Sequence, residues 1–332
     1  MEITCIRTVR NYEKWPSWDL VYEWEDIFRE KMEIDFHYVR RNSQRIDRIL
    51  SKMGLNLSVF HTVKGCELAW EMSPRLLSNG LNRKNVIPCI IDFFLKESQL
   101  AQFRSAYAEN PFILISSAEV VEYLKNKNLG SKIYHLPLSI SDRYRITADT
   151  VYEKKYDVGL MGRQNPVLEN FLQKYIENHP DFVYVYAKPV NNDFAYYSST
   201  GEFLGYISTR EKYIELMRKC RMGFYSTPGI DGGEKRTNGF NQVTPKFLEL
   251  LACGCHVIAR YKENPDTLYY ELRRISPHIE TYEAFEKAVD EARANPPDMK
   301  KHADYLQRHY TSVRVEMLRN ILSRYSQSLL KG

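Results

Sequence analysis

The chain lacks any run approaching the ~18 apolar residues that a membrane-crossing helix needs, so no spanning segment is expected. It lacks a Cys-x-x-Cys pair. Its six cysteines, Cys5, Cys66, Cys89, Cys220, Cys253 and Cys255, are scattered through mostly apolar runs, which speaks against a zinc ribbon or a redox motif. They read instead as buried thiols in a reducing compartment. A Gly-Lys-Ser/Thr phosphate loop is missing, and so is Gly-x-Gly-x-x-Gly after a first strand, which sets aside P-loop NTPases and dinucleotide-dependent oxidoreductases. There is no low-complexity tract and no dense basic stripe. The net charge of +5 is dispersed apart from short clusters such as Arg40-Arg41 and Arg273-Arg274, so nucleic acid is not an expected partner. The opening residues show no signal-peptide apolar stretch, and the expectation is a cytoplasmic protein, with peripheral contact at the inner face of a membrane left open.

What is present is ordinary globular composition in a chain too long for one comfortable core. With 332 residues, 43% of them hydrophobic and 27% charged, two domains of about 150 residues each are expected. Short β-type runs alternate with helical patterns, the signature of parallel sheets flanked by helices. In the first half the expected strands are 36–40, 57–61, 86–92, 112–116 and 132–138, with helices at 45–53, 97–108 and 118–126. A polar stretch, 139–155, breaks the rhythm. The alternation then restarts with strand 157–161, helix 167–178, strand 182–187, a Tyr/Asn/Ser-rich stretch, helix 210–220, strand 222–226, helix 245–253 and strand 256–259. Ser208 and Glu211 have capping-box spacing before helix 210–220. The expected organisation is therefore a first domain at 1–140, a linker at 141–155 and a second domain at 156–312. A last helix, 313–330, carries an apolar stripe that could pack back on the first domain.

The most informative segment is VTPKFLELLACGCHVIA, 243–259. Thr244 suits the N-cap, Pro245 the first helical position and Gly254 the C-terminal stop. Phe247, Leu248, Leu250 and Leu251 share one face of the helical wheel, which leaves Glu249 pointing outward. Lys246 is out of place, because a cation in the first turn opposes the helix dipole at a cost of about 0.3–1 kcal/mol. An anion held at that N-terminus would account for it. Taken alone, Lys246 and Glu249 are equally what a solvated surface helix would show. The preceding loop, PGIDGGEKRTNGFNQ (228–242), holds four glycines between a strand and this helix, the place where open α/β sheets bind ligands. GRQNP (162–166) follows the first strand of the second half and brings Arg163 to the same sheet edge, so that two cations and a helix N-terminus could neutralise a departing diphosphate.

With MGR at 161–163 and FLELLACGCHVI at 247–258, residues 156–260 resemble the second domain of GT-B glycosyltransferases. The resemblance implies two Rossmann-like, doubly wound domains facing a cleft, and sugar transfer from a nucleotide diphosphate sugar, UDP-linked by preference, to a glycan or lipid-linked acceptor, as in surface-polysaccharide assembly. It assigns Glu249 to the donor ribose, Arg163 and Lys246 to the diphosphate, and Thr244 to the pocket wall. Retaining members carry a Glu seven residues before the ribose Glu. Here that position is Gln242, which leaves the stereochemical outcome open. The Thr-x-Lys spacing at 244–246 is also similar to inverting, GDP-fucose-dependent fucosyltransferases, and the loss at Gln242 keeps a non-catalytic glycan-binding or scaffold protein as an alternative. The metal-binding Asp-x-Asp motif is absent, DGGE at 231–234 is only superficially like one, and the family implies neither metal nor other cofactor. In the first domain Asp92 and His61 close candidate strands and could act as general base on an acceptor hydroxyl, although strand-end residues of both types often serve only structure. Glu67, Glu71 and Arg75 are expected near the acceptor.

Overall fold

The computed structural model describes residues 1–14, 16–39, 49, 53, 65–76, 84–190 and 193–331. The chain divides into two units, one of residues 1–142, 236–240 and 311–332 and the other of residues 143–235 and 241–310. Among the described residues, each is built on a six-stranded sheet.

The first unit contains β1 (Ile3–Thr8), α1 (Pro16–Met32), β2 (Asp35–Tyr38), β3 (Cys66–Glu71), β4 (Val86–Ile90), α2 (Leu100–Ala106), β5 (Ile113–Ile115), α3 (Ala118–Asn126) and β6 (Ile133–His135). Its strands run parallel in the order β2-β1-β3-β4-β5-β6. One face, carrying Ile6, Leu68, Trp70 and Leu114, packs on Trp18, Val21, Trp24 and Phe28 of α1. The last helix, Thr311–Lys331, adds Val315, Leu318 and Ile321 to the same core. Its Arg314 is buried and donates to the carbonyls of Pro137 (3.0 Å) and Leu138 (3.2 Å).

β1, β3 and α1 are absent from the sequence-based expectation. β3 reads CELAWE, all of it buried, and its two glutamates disguise it as a surface segment. The expected strand 57–61 and helix 45–53 fall mostly or wholly outside the described residues.

The second unit comprises β7 (Tyr156–Leu160), α4 (Pro166–Asn178), β8 (Tyr184–Val190), β9 (Asp193–Ser198), β10 (Phe203–Tyr206), α5 (Arg210–Arg218), β11 (Cys220–Ser226), α6 (Pro245–Ala252), β12 (His256–Arg260), α7 (Pro265–Tyr269), α8 (Leu272–Ile275), α9 (Tyr282–Ala294) and α10 (Met299–Leu306). Its strand order is β10-β9-β8-β7-β11-β12, with β8, β7, β11 and β12 mutually parallel. The Tyr/Asn/Ser-rich stretch is the antiparallel addition β9–β10, where Tyr and Phe favour the strand over a loop. Both units are thus doubly wound α/β folds.

From Arg143 the chain belongs to the second unit. Tyr144 and Ile146 are buried there, and the Ile146 N–H donates to the Tyr310 hydroxyl at 3.2 Å. Charged neighbours mask these apolar anchors in the sequence.

Candidate functional site

In the second unit the chain winds from β7 outward to β8 and then returns to place β11 on the other side of β7. The order reverses between β7 and β11, and ligands of open α/β sheets bind beyond the C-terminal ends of the strands at such a point. Two loops leave there. The one after β7 turns at Gly162, whose φ of 67° is a conformation glycine adopts without strain, and it presents Arg163 exposed to solvent. The one after β11 runs to the start of α6.

These loops are tied together. Asn165 Oδ1 caps α4 by accepting from the N–H groups of Val167 (3.0 Å) and Leu168 (3.1 Å), while its Nδ2 donates to Asp231 Oδ2 at 2.8 Å. Asp231 takes a two-pronged contact from Arg260, at 2.6 and 2.9 Å. The Arg260 guanidinium holds the Asp231 carboxyl below its ordinary range. The carboxylate of DGGE is therefore a fastener of the loop, with both oxygens engaged.

α6 begins as expected at Thr244, with Pro245 in the first turn, but the Thr244 side chain makes no capping bond to the helix. Its backbone N–H instead donates to the Tyr225 hydroxyl at 3.0 Å. Lys246, half-buried, sends Nζ to the Arg163 carbonyl at 3.4 Å. Burial, and then the charge of Arg163, push its ammonium down to about 8, against the opposing pull of Glu249. The structure thus brings the Arg163 loop, Thr244 and Lys246 together at one helix start, with Glu249 in the middle of the same helix. Gln242, buried, lies just ahead of them beside Asn241, which is fastened by Thr227 (2.8 Å) and Asn264 (3.0 Å).

Glu249 departs from the expectation of an outward-facing carboxylate. It is only 4% exposed, and Arg210 Nη2 donates to its Oε1 at 2.8 Å. The wheel accounts for the sheet-facing side of α6 alone. α6 is also covered by α5 and α10, as the Cys253 contact with the Ile214 carbonyl and the Phe247–Tyr305 ring contact show, so every residue from Phe247 to Ala252 is buried.

Arg210, the first residue of α5, was not expected at the site. Its helix is capped by Thr209, which accepts from the Lys212 N–H at 3.4 Å, one residue on from the predicted Ser208 box. The Arg210 guanidinium also lies over the Tyr144 ring at 5.6 Å. Tyr213, one turn along, places its hydroxyl 4.0 Å from where a side chain on Gly162 would begin. Burial and the charge of Glu249 keep that phenol well above its ordinary pKa. The signal for Arg210 was available, since it is a second cation in a first helical turn, where the dipole disfavours it.

Residues 163–319 match the family model described as Glycosyl transferase-like. That stretch is similar to glycosyltransferase-like domains. Arg163, Arg210, Tyr213, Gln242, Thr244, Lys246 and Glu249 all lie within it. No curated protein matches the chain. Three solved structures are similar over most of its length. The α,α-trehalose-phosphate synthase (UDP-forming) of Burkholderia vietnamiensis has a TM-score of 0.45 at 10% identity, covering 96% of this chain and 87% of that one. The kitacinnamycin glycotransferase has a TM-score of 0.43 at 11% identity, over 96% and 99%. The UDP-GlcNAc 2-epimerase of Methanocaldococcus jannaschii, solved with UDP-GlcNAc and UDP, has a TM-score of 0.42 at 9% identity, over 92% and 99%.

Outside the matched stretch, Asp92 stands two residues past β4, half-buried, its N–H donating to the Met72 carbonyl at 2.9 Å. His61 lies outside the described residues. Glu67 and Glu71 are interior groups of the first unit. Glu71 accepts from the Tyr107 hydroxyl and faces Arg75 Nε at 3.3 Å, and burial pushes its carboxyl up to about 7.

Proposed function

We propose that the chain is a glycosyltransferase that moves a sugar from a nucleotide diphosphate sugar, a UDP-sugar being favoured, to a glycan or lipid-linked acceptor. The observation that carries this reading is the pairing of Lys246 with the Arg163 loop at the α6 N-terminus, inside the glycosyltransferase-like stretch. A lysine whose charged form is disfavoured by burial and by a neighbouring arginine is a position that gains from an anion. Helix N–H groups and two cations in one place suit a diphosphate.

In this reading the diphosphate binds Arg163, Lys246 and the start of α6, which stabilise the charge that develops as the bond from the anomeric carbon to the diphosphate oxygen breaks. The protein's own cations serve that need, so no metal or other cofactor is invoked. Glu249, positioned by Arg210, accepts from the ribose hydroxyls, and Thr244 and Gln242 line the same pocket. The acceptor oxygen forms the new bond to the anomeric carbon, and its proton passes to a base, for which Asp92 and His61 are the candidates in an inverting enzyme.

The test is a thermal-shift screen of the chain with UDP, GDP, dTDP and CMP in the presence of EDTA. Stabilisation by UDP supports the proposal, and a preference for GDP moves it toward the fucosyltransferase-like alternative. No shift with any nucleotide at millimolar concentration overturns it in favour of a glycan-binding scaffold, the reading that Gln242 motivates.

A further inference from the structure

We propose that Cys5, His37 and Glu67 of the first unit form a zinc site. The three residues come from adjacent parallel strands, β1, β2 and β3. Cys5 is paired in register with Glu67, and His37 with Arg7. Residues two apart on a strand share a face, so Cys5, Arg7, His37 and Glu67 all stand on one side of the sheet, opposite the apolar face of Ile6 and Leu68.

Their donor atoms lie within 4.8 Å of one another. Cys5 Sγ is 3.7 Å from Glu67 Oε1, and the same oxygen is in contact with His37 Nδ1. Two ligands on one tetrahedral zinc, a sulfur at about 2.3 Å and an oxygen at about 2.1 Å, are separated by about 3.6 Å, so the Cys5–Glu67 spacing already fits the ion. The set of one sulfur, one nitrogen and one oxygen selects for zinc over magnesium or calcium, which take oxygen ligands. Thiolate and carboxylate together balance a divalent charge.

Arg7 completes the arrangement. Its Nη1 lies 3.4 Å from Glu67 Oε2, the oxygen turned away from Cys5 and His37. It therefore orients Oε1 toward the other two ligands, as groups behind metal-binding carboxylates do. Cys5 and Glu67 are buried, whereas the His37 side chain is 36% exposed, which provides a way in and room for water as fourth ligand. Because the ligands lie up to 62 residues apart, no local motif announces them.

The experiment titrates the full-length chain, stripped of metal with a chelator and dialysed, first with Co²⁺ and then with Zn²⁺. One equivalent of Co²⁺ is expected to bring up a sulfur-to-cobalt charge-transfer band in the near ultraviolet, which Zn²⁺ then abolishes. His37→Ala should weaken Co²⁺ binding at least tenfold, and Cys5→Ser should remove the band while the circular dichroism is unchanged. X-ray absorption of the wild-type zinc complex needs no variant, and one sulfur among nitrogen and oxygen neighbours is expected. Absence of stoichiometric binding, or a zinc shell with no sulfur or with several, overturns the proposal and leaves a hydrogen-bonded Cys–Glu–His cluster without metal.

Discussion

Arg210 and Glu249 form an ion pair at 2.8 Å with only 11% and 6% of their side-chain surfaces exposed. The pair joins the first turn of α5 to the middle of α6, the two helices that frame the candidate donor site. Removing one partner of such a pair leaves a buried, uncompensated charge, at a cost of roughly 3–5 kcal/mol. Glu249→Ala should therefore lower Tm strongly, and Glu249→Leu combined with Arg210→Leu should recover most of that loss. Denaturant unfolding of the single and double variants measures the coupling. Additive losses would show that the pair contributes nothing of its own.

At the proposed donor site, Lys246 would link binding to pH. Its ammonium is held at about 8, below the ordinary 10.5. The unfolded chain therefore binds more protons than the folded one between these values, so the contribution of Lys246 to stability rises as pH increases from 8 to 10.5. Nucleotide affinity should move the opposite way and fall as pH rises through about 8, because the neutral amine no longer attracts the diphosphate. Calorimetric titrations at pH 7 and pH 9 should differ severalfold for wild type and much less for Lys246→Met. An equal pH dependence in both would remove Lys246 from the anion site.

Glu71 makes an independent prediction for the first unit. Burial raises its carboxyl from 4.5 to about 7. A raised carboxyl favours folding most fully below pH 4.5 and loses that contribution as pH climbs to about 7. Glu71→Gln should flatten the fall in Tm between pH 5 and pH 8. Glu25, also pushed up to about 7 by burial, should preserve part of the slope. An unchanged slope in the Gln variant would contradict the assignment.

Gly223 on β11 lets α6 lie close. A Cβ there would stand 2.2 Å from Leu250 Cδ2. Gly223→Ala should cost about 1–3 kcal/mol by overpacking, and Leu250→Ala in the same chain should recover some of it. Thermal denaturation of the two variants decides. A neutral Gly223→Ala would mean that α6 shifts freely, at odds with its burial.

Much of the second unit was legible in the sequence because its strands and helices alternate cleanly and its signals are local. Thr244, Pro245 and Gly254 bound α6 in one short stretch, and the loop glycines mark the ligand end of the sheet. What could not be read were relations between distant residues. Glu249 faces Arg210, which lies 39 positions away, and a helical wheel drawn for one helix against one sheet turns the carboxylate outward. The same limit hid β3, whose Glu67 and Glu71 look solvated until Arg7, Tyr107 and Arg75 are placed beside them. Within 141–155 the burial of Tyr144 and Ile146 is hidden in the sequence by the charged residues around them.

The most direct measurement of the central claim is isothermal titration of UDP into the metal-free chain, wild type against Lys246→Ala and Glu249→Gln. The account predicts one UDP per chain for wild type, at least tenfold weaker binding for Lys246→Ala, and a smaller loss for Glu249→Gln, which keeps an acceptor oxygen for the ribose. Wild-type binding that is indifferent to both substitutions would put the nucleotide elsewhere and contradict the site.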